Sequence, residues 1–221
     1  MHKTLARKEL RETSGIAALA LLANLAIVAW PMGVNMMPGL LPDRNWIPFV
    51  DDPVLIWTGA ATGVLALALG FRQTAWESIA GTDLFLLHRP LGRRTMIAVK
   101  LAAGTLVVLA CGSLPTLIYA WWAATPGTHA SPFEWSMTWP FWRLWLLLIT
   151  VYLGGYLSGI RPARWAGTRL APAAGTVCLV VLLAVMPWRA PWWALGWTAC
   201  ALATNGLLIV GIVYTMETRD F

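Results

Sequence analysis

The chain has 221 residues, of which 58% are hydrophobic and 12% are charged, about half the charged share of an average soluble domain. This composition excludes an ordinary soluble domain and favours a protein embedded in a membrane. The net charge of +6 does not indicate a nucleic-acid partner, because the basic residues form no cluster interleaved with exposed aromatic residues. The three cysteines lie in apolar segments without paired spacing, so neither a disulfide framework nor a zinc site is predicted.

Six apolar segments follow one another along the chain, and each is long enough to cross a bilayer, which takes ~17–25 residues of helix. The predicted spans cover about 15–34, 53–71, 95–123, 141–160, 170–187 and 192–214. We therefore predict an all-α integral membrane fold, with one transmembrane domain over residues 1–221. The first segment is too long for a signal peptide, and no small-residue cleavage site follows it.

Residues 1–13 form a charged segment in which Leu5 and Leu10 are the apolar contacts. This pattern predicts an N-terminal interfacial helix, after which the chain turns near Thr13 into the first span. Asn24 lies in the middle of that span, and a side-chain amide at this depth needs a partner on another helix.

Small residues and prolines mark the interiors of later spans. Gly59 and Gly63 in the second span have the spacing that lets two helices approach closely. Pro115 predicts a kink or a break in the third span, and broken helices line substrate routes in some transporters. Asn24, Pro115 and Asn205 of the sixth span are therefore the candidate residues of a translocation path. Pro172 lies near the predicted start of the fifth span, where proline is tolerated.

The longest polar interruption runs from Glu77 to Lys100, between the second and third spans. Thr74 and Glu77 have the spacing of a capping box, which predicts a helix start. The residues that follow at near-helical spacing are apolar: Trp76, Ile79, Ala80, Leu84 and Leu87. Pro90 ends this short amphipathic helix, and Arg93 and Lys100 are expected near the lipid headgroups.

The distribution of Lys and Arg predicts the orientation of the chain. Because the number of spans is even, both termini lie on one side of the membrane together with the 77–100 stretch. That side carries thirteen Lys and Arg residues, and the other carries only three. The positive-inside rule then places both termini in the cytoplasm of a multi-pass protein, which we expect in a bacterial inner membrane.

The stretch also carries a family resemblance. The order Glu77, Gly81, Thr82, Leu86, Leu87, Arg89, Pro90, Arg93, Arg94 and Lys100 resembles the type-2 permeases of ATP-binding-cassette (ABC) exporters. The resemblance implies a cytoplasmic coupling helix that rests on a separate ATPase subunit, which binds the ATP and Mg²⁺. It also implies a second permease copy, identical or not, and no cofactor in this chain. The residues it assigns to coupling are Glu77, Gly81, Thr82, Arg89, Pro90, Arg93 and Arg94.

The absence of other motifs agrees with that expectation. The chain has no nucleotide-binding loop and no charged residue at mid-depth of a span, which is the usual mark of an ion-driven carrier. We expect a transporter subunit without its own catalytic site. The family resemblance implies an exporter, and the sequence does not indicate its substrate. The alternatives are a non-transporting membrane scaffold or assembly subunit, and a basic loop that only fixes orientation.

Thirteen of the fifteen tryptophans fall near the predicted outer face. Indole rings prefer the membrane interface, so a lipid belt explains them. An aromatic vestibule for a lipid-like or aromatic substrate is the alternative, and the sequence leaves the two open.

Overall fold

The computed structural model describes residues 2–33, 47–50, 53–76, 92–129, 131–162, 165–185 and 191–218. Six long helices account for most of them: α1 (His2–Ala29), α2 (Val54–Phe71), α3 (Arg93–Ala124), α4 (Trp139–Ile160), α5 (Ala166–Val185) and α6 (Pro191–Thr218). A π-helical turn, Arg72–Trp76, continues α2, and a 3-10 turn, Trp135–Thr138, leads into α4. No strand occurs among the described residues.

The six helices are long and apolar enough to cross a membrane, which is consistent with a multi-pass membrane protein. The prediction of an all-helical chain with six long apolar helices is confirmed. For the second to sixth spans, the predicted limits lie within four residues of the helix ends.

The first helix differs from the prediction, because α1 runs without a break from His2 to Ala29. The chain does not turn near Thr13. Instead the Thr13 hydroxyl donates a hydrogen bond to the Glu9 carbonyl at 2.8 Å, and the Ser14 hydroxyl donates to the Arg11 carbonyl at 2.8 Å. Hydroxyls used in this way stay within the helix and do not cap a new one.

Helix α4 lies at the centre of the bundle. In its most apolar stretch 72% of the residues are buried, against 17% in α5 and 11% in α6. It packs against α2, α3, α5 and α6, while α1 packs against α2 and α3. The outer helices α5 and α6 therefore depend on α4 for most of their contacts within the chain.

The contact between α2 and α4 is a backbone contact. A Cβ atom at Gly70 would lie 2.5 Å from the Tyr156 backbone nitrogen and 2.7 Å from the Tyr152 carbonyl oxygen. Further along, a Cβ atom at Gly59 would lie 2.6 Å from a methyl group of Leu144. Of the two glycines that predict a close approach, Gly59 thus faces α4 closely, while a Cβ atom at Gly63 would lie at an ordinary contact distance of 3.6 Å from Leu148. The backbone contact itself occurs at Gly70, which the sequence did not single out.

Two arginine side chains connect α4 to α5, and one of them compensates for a proline within α5. Pro172 lies inside α5 and not at its start, so the Thr168 carbonyl loses its usual amide partner four residues on. Arg161 donates to that carbonyl at 3.4 Å. In return, Arg169 donates to the carbonyls of Ser158 and Gly159 in the last turn of α4, at 3.4 and 3.2 Å.

The bundle has two chemically different ends. We call the basic end the one where α1, α3 and α5 begin and α2, α4 and α6 end. Most of the described Lys and Arg residues lie there: Arg7, Lys8, Arg11, Arg72, Arg94, Lys100, Arg161 and Arg169. The opposite end, which we call the aromatic end, holds a cluster of rings that includes Phe49, Tyr119, Trp122, Phe133 and Phe141.

Candidate functional site

The coupling residues predicted from the sequence fall mostly outside the described residues: Glu77, Gly81, Thr82, Arg89 and Pro90. Arg93 is the first residue of α3. Arg94 forms an exposed ion pair with Glu217 near the end of α6, a partner that the sequence did not indicate. The structure thus fixes where the connection 77–91 leaves α2 and where it re-enters α3, both at the basic end.

The capping box predicted at Thr74 is wrong. Thr74 lies in the π-helical turn that continues α2, so no helix starts there. Its hydroxyl donates to the Gly70 carbonyl at 2.8 Å, which is a bond back into the helix that precedes it. The side chain packs on Gly159 of α4, where any larger residue would overlap it.

Three helical elements meet in one buried hydrogen-bond network at the basic end. The Tyr152 hydroxyl of α4 donates to the Gln73 side-chain oxygen at 2.6 Å, and the Lys100 carbonyl of α3 is a second acceptor at 3.3 Å. The Gln73 amide also donates to the Lys100 carbonyl, at 3.5 Å. Gln73 precedes the 77–91 connection and Lys100 follows it, so both flanks of the connection are bonded to the central helix.

Two ionisable residues are buried in this region. Glu9 of α1 is 1% exposed and lies close enough to Tyr152 to interact with it electrostatically. Lys100 is 6% exposed, which contradicts the expectation that it extends to the lipid headgroups. Buried Lys and Glu side chains are rare, because removing a charge from water costs several kcal/mol per ion unless it is compensated. The burial of Glu9 and Lys100 therefore indicates that the surrounding helices have to pack in one particular arrangement.

Sequence reasoning missed Glu9, Gln73 and Tyr152. Glu9 belongs to the charged segment 1–13 and was not singled out there, although the buried Leu5 lies one turn away on the same face. A usable signal was present in the fourth span, where Tyr152 and Tyr156 bring two hydroxyls into a run of aliphatic residues and glycines. A buried tyrosine hydroxyl usually has a hydrogen-bond partner.

Asn24 and Pro115 are brought together in the middle of the bundle. The Asn24 amide nitrogen donates two hydrogen bonds, to the Thr62 hydroxyl of α2 at 2.9 Å and to the Cys111 carbonyl of α3 at 3.1 Å. The Cys111 carbonyl is four residues before Pro115, so it is the one that the missing proline amide leaves unpaired. Asn24 therefore replaces the bond that Pro115 removes, and α3 continues through the proline without a break.

Asn205 is not joined to these two residues by any hydrogen bond among the described residues. It lies on α6, and its side-chain oxygen is buried without a hydrogen-bond partner in the described part of the chain. The Asn24 side-chain oxygen is in the same situation. Of the three candidate path residues, the structure thus unites two in a node that cross-links α1, α2 and α3.

The tryptophans near the aromatic end divide into two groups. Trp121, Trp135 and Trp139 are 59–77% exposed, as expected for an interfacial belt. Trp145 is 1% exposed and donates to the Thr116 hydroxyl at 3.1 Å, so it belongs to the core.

An open apolar groove of about 510 Å³ lies beside Trp121, lined mainly by Leu114, Leu117, Ile118 and Trp122.

Among the described residues, no group of three His, Cys, Asp or Glu side chains is arranged to hold a metal ion. Comparison with known proteins gives no match to a family model, a curated protein or a solved structure.

Proposed function

We propose that the chain is the membrane-spanning permease subunit of an ATP-driven transporter of the ABC exporter type. A separate ATPase subunit docks on the 77–91 connection, and a second permease copy completes the translocation unit. Six apolar helices support the membrane location. The residues from Glu77 to Lys100 support the family assignment by resemblance.

One structural observation carries the proposal furthest: both flanks of the 77–91 connection are bonded to the central helix. Gln73 and the Lys100 carbonyl share the Tyr152 hydroxyl, and α4 in turn packs on four of the other helices. A connection whose only role is to fix orientation needs basic residues but no buried hydrogen-bond network between the residues that flank it. A force applied to this connection reaches the centre of the bundle through the network.

The proposed mechanism combines this geometry with what the family resemblance implies. ATP binding brings the ATPase subunits together and displaces the connection that rests on them. The displacement shifts the helices between inward-facing and outward-facing arrangements, each stabilised by a discrete set of contacts. Asn24 and Pro115 supply a weak point in α3, because a side-chain amide from another helix replaces one backbone hydrogen bond there.

Gentle detergent purification of the tagged chain tests the partnership. We expect an ATPase with a nucleotide-binding loop to co-purify, and Glu77→Lys to reduce the ATPase activity of the complex at least about tenfold. Glu134→Lys, an equal charge change at the aromatic end, is the matched control and leaves that activity unchanged. Recovery of the chain without any ATPase would instead support a non-transporting scaffold.

Cysteine labelling tests the orientation. With the three native cysteines replaced by alanine, a single cysteine is introduced at exposed Ser136 or exposed Trp165, at opposite ends of the bundle. A membrane-impermeant maleimide added to spheroplasts is expected to label Ser136→Cys and to reach Trp165→Cys only after lysis. The opposite pattern would place the 77–91 connection outside the cell and reject the proposal.

A further inference from the structure

We propose that Tyr152 is a positioning residue that holds the π-helical turn Arg72–Trp76 in one of two helical registers. This inference rests on the proposed function for its biological meaning, because the turn lies between α2 and the connection on which the ATPase would act. The turn, its partners and Tyr152 all lie within the described residues.

A π-helical turn is a rare element. It contains one more residue than the α-helical turn it replaces, and such turns inside α-helices occur frequently at functional sites. If Arg72–Trp76 closed to an α-helical turn, Gln73 and the residues that follow it within the turn would each move by one position, about 1.5 Å along the axis and about 100° around it. Gln73 would then leave Tyr152. The turn therefore has two discrete arrangements, and the Gln73–Tyr152 hydrogen bond exists in one of them.

The position of Tyr152 is fixed by α2, α3 and α4. Its ring lies on Gly104 of α3, where even a methyl group would overlap the hydroxyl. Its backbone lies against Gly70 of α2, because a Cβ there would be 2.7 Å from the Tyr152 carbonyl oxygen. The side chain is completely buried, and its hydroxyl has one acceptor on each flank of the connection. Tyr152 thus forms a rigid reference point against which the turn is held.

This arrangement couples register to the connection. Hydrogen bonds are directional, so the network tolerates the π register and not a continuous set of intermediates. Loss of the Tyr152 hydroxyl removes the constraint and leaves the packing of the ring almost unchanged. The turn would then exchange between registers, and a displacement of the connection would no longer be passed to α4.

The test uses Tyr152→Phe and Gln73→Met, which both remove the hydrogen bond and keep similar volume. The matched control is Thr116→Val, which removes the Trp145–Thr116 hydrogen bond between the same two helices, α3 and α4, away from the turn. Two quantities are measured: amide hydrogen exchange of residues 72–75 in the purified chain, and ATPase activity of the co-purified complex.

We expect both variants to increase exchange at residues 72–75 at least about fivefold and the double variant to have no larger effect than either alone. We also expect the ATPase to co-purify in normal amount but to lose at least about fivefold of its activity. Thr116→Val should change neither quantity. If the hydrogen bond were merely structural, its loss would raise amide exchange, but the amount of co-purified ATPase and its activity would either both stay normal or both fall.

Two results overturn the inference. Unchanged exchange at residues 72–75 in Tyr152→Phe shows that the hydroxyl does not hold the turn. Increased exchange with the ATPase activity of the control shows that the turn does not transmit movement. If no ATPase co-purifies with the unsubstituted chain, the proposed function fails, and the exchange measurement alone then decides whether Tyr152 holds the register.

Discussion

The two ends of the bundle are held together by different kinds of interaction. At the basic end, Tyr152, Gln73 and the Lys100 carbonyl form a buried network of directional hydrogen bonds. At the aromatic end, Phe49 packs against Tyr119 and Phe141 with ring centroids 4.6 and 5.0 Å apart. A hydrogen bond requires its donor and acceptor atoms at a particular distance and angle, whereas the packing of aromatic rings depends mainly on their shape and volume.

This difference indicates which end can switch. A hydrogen-bonded network that depends on helix register has discrete arrangements, because a shift of the turn by one residue breaks both hydrogen bonds of the Gln73 side chain at once. A cluster of rings adapts to small displacements through changes in side-chain angle. We therefore propose that the helices change their arrangement at the basic end, and that the ring cluster at the aromatic end stays packed. Four substitutions test this contrast, from the largest expected effect to the smallest.

Removal of the Phe49 ring should have the largest effect on stability. Phe49 is 5% exposed and contacts three other rings, so Phe49→Ala is expected to cost about 3 kcal/mol of unfolding free energy. Phe49→Leu should cost less than half of that, because shape and volume decide at this end. Equilibrium unfolding in mixed micelles measures both, with exposed Val50→Ala as the control. Equal losses for Ala and Leu would contradict the packing account.

Gly70→Ala should destabilise the basic end by about 2 kcal/mol, in the range of overpacked cores. The added methyl group meets backbone atoms of Tyr156 and Tyr152, which cannot move aside as a flexible side chain would. We expect α2 to separate from α4 and amide exchange to rise at residues 70–75. Gly206→Ala is the control, because no atom lies within 4 Å of a Cβ at that position. A neutral Gly70→Ala would show that the two helices are not in backbone contact.

Asn24→Leu should cost about 1–2 kcal/mol, because it removes two interhelical hydrogen bonds. The cost should fall in the background of Pro115→Ala, because alanine restores the backbone bond to the Cys111 carbonyl. A double-mutant cycle on unfolding free energy measures this coupling. Additive effects of the two substitutions would show that Asn24 does not compensate for the proline.

Glu217→Gln should have the smallest effect on stability. The Arg94–Glu217 pair is exposed at the basic end, with 78% and 39% of the two side chains accessible, and exposed ion pairs contribute little. We expect a thermal midpoint within measurement error of the unsubstituted chain at moderate salt. A large decrease would mean that this exposed pair is a major stabilising contact between α3 and α6.

Much of the fold follows from the sequence. Charge-free segments located all six helices, and the amide of Asn24 correctly predicted a partner on another helix. The register of Arg72–Trp76 was not predictable, because an extra residue in a turn leaves no mark in hydrophobic periodicity. That register depends on long-range contacts, such as Gln73 with Tyr152 and Thr74 with Gly159.

The burial of Glu9 and Lys100 also escaped prediction, for a different physical reason. Charged residues near the end of an apolar segment usually extend to the headgroups, so Lys100 was expected there. The same sequence pattern also fits a side chain that turns inward when neighbouring helices provide polar atoms. Which of the two occurs depends on the packing of α1, α3 and α4, which no single segment encodes.

Site-specific photo-crosslinking tests the central claim, that an ATPase docks on the connection at the basic end. A benzophenone amino acid replaces Leu84 within the connection or, as the control, Glu134 at the aromatic end, and the tagged chain is irradiated in whole cells. The account predicts an adduct with a protein that carries a nucleotide-binding loop from position 84 and none from position 134. Adducts with such a protein from position 134 alone, or from neither position, would contradict it.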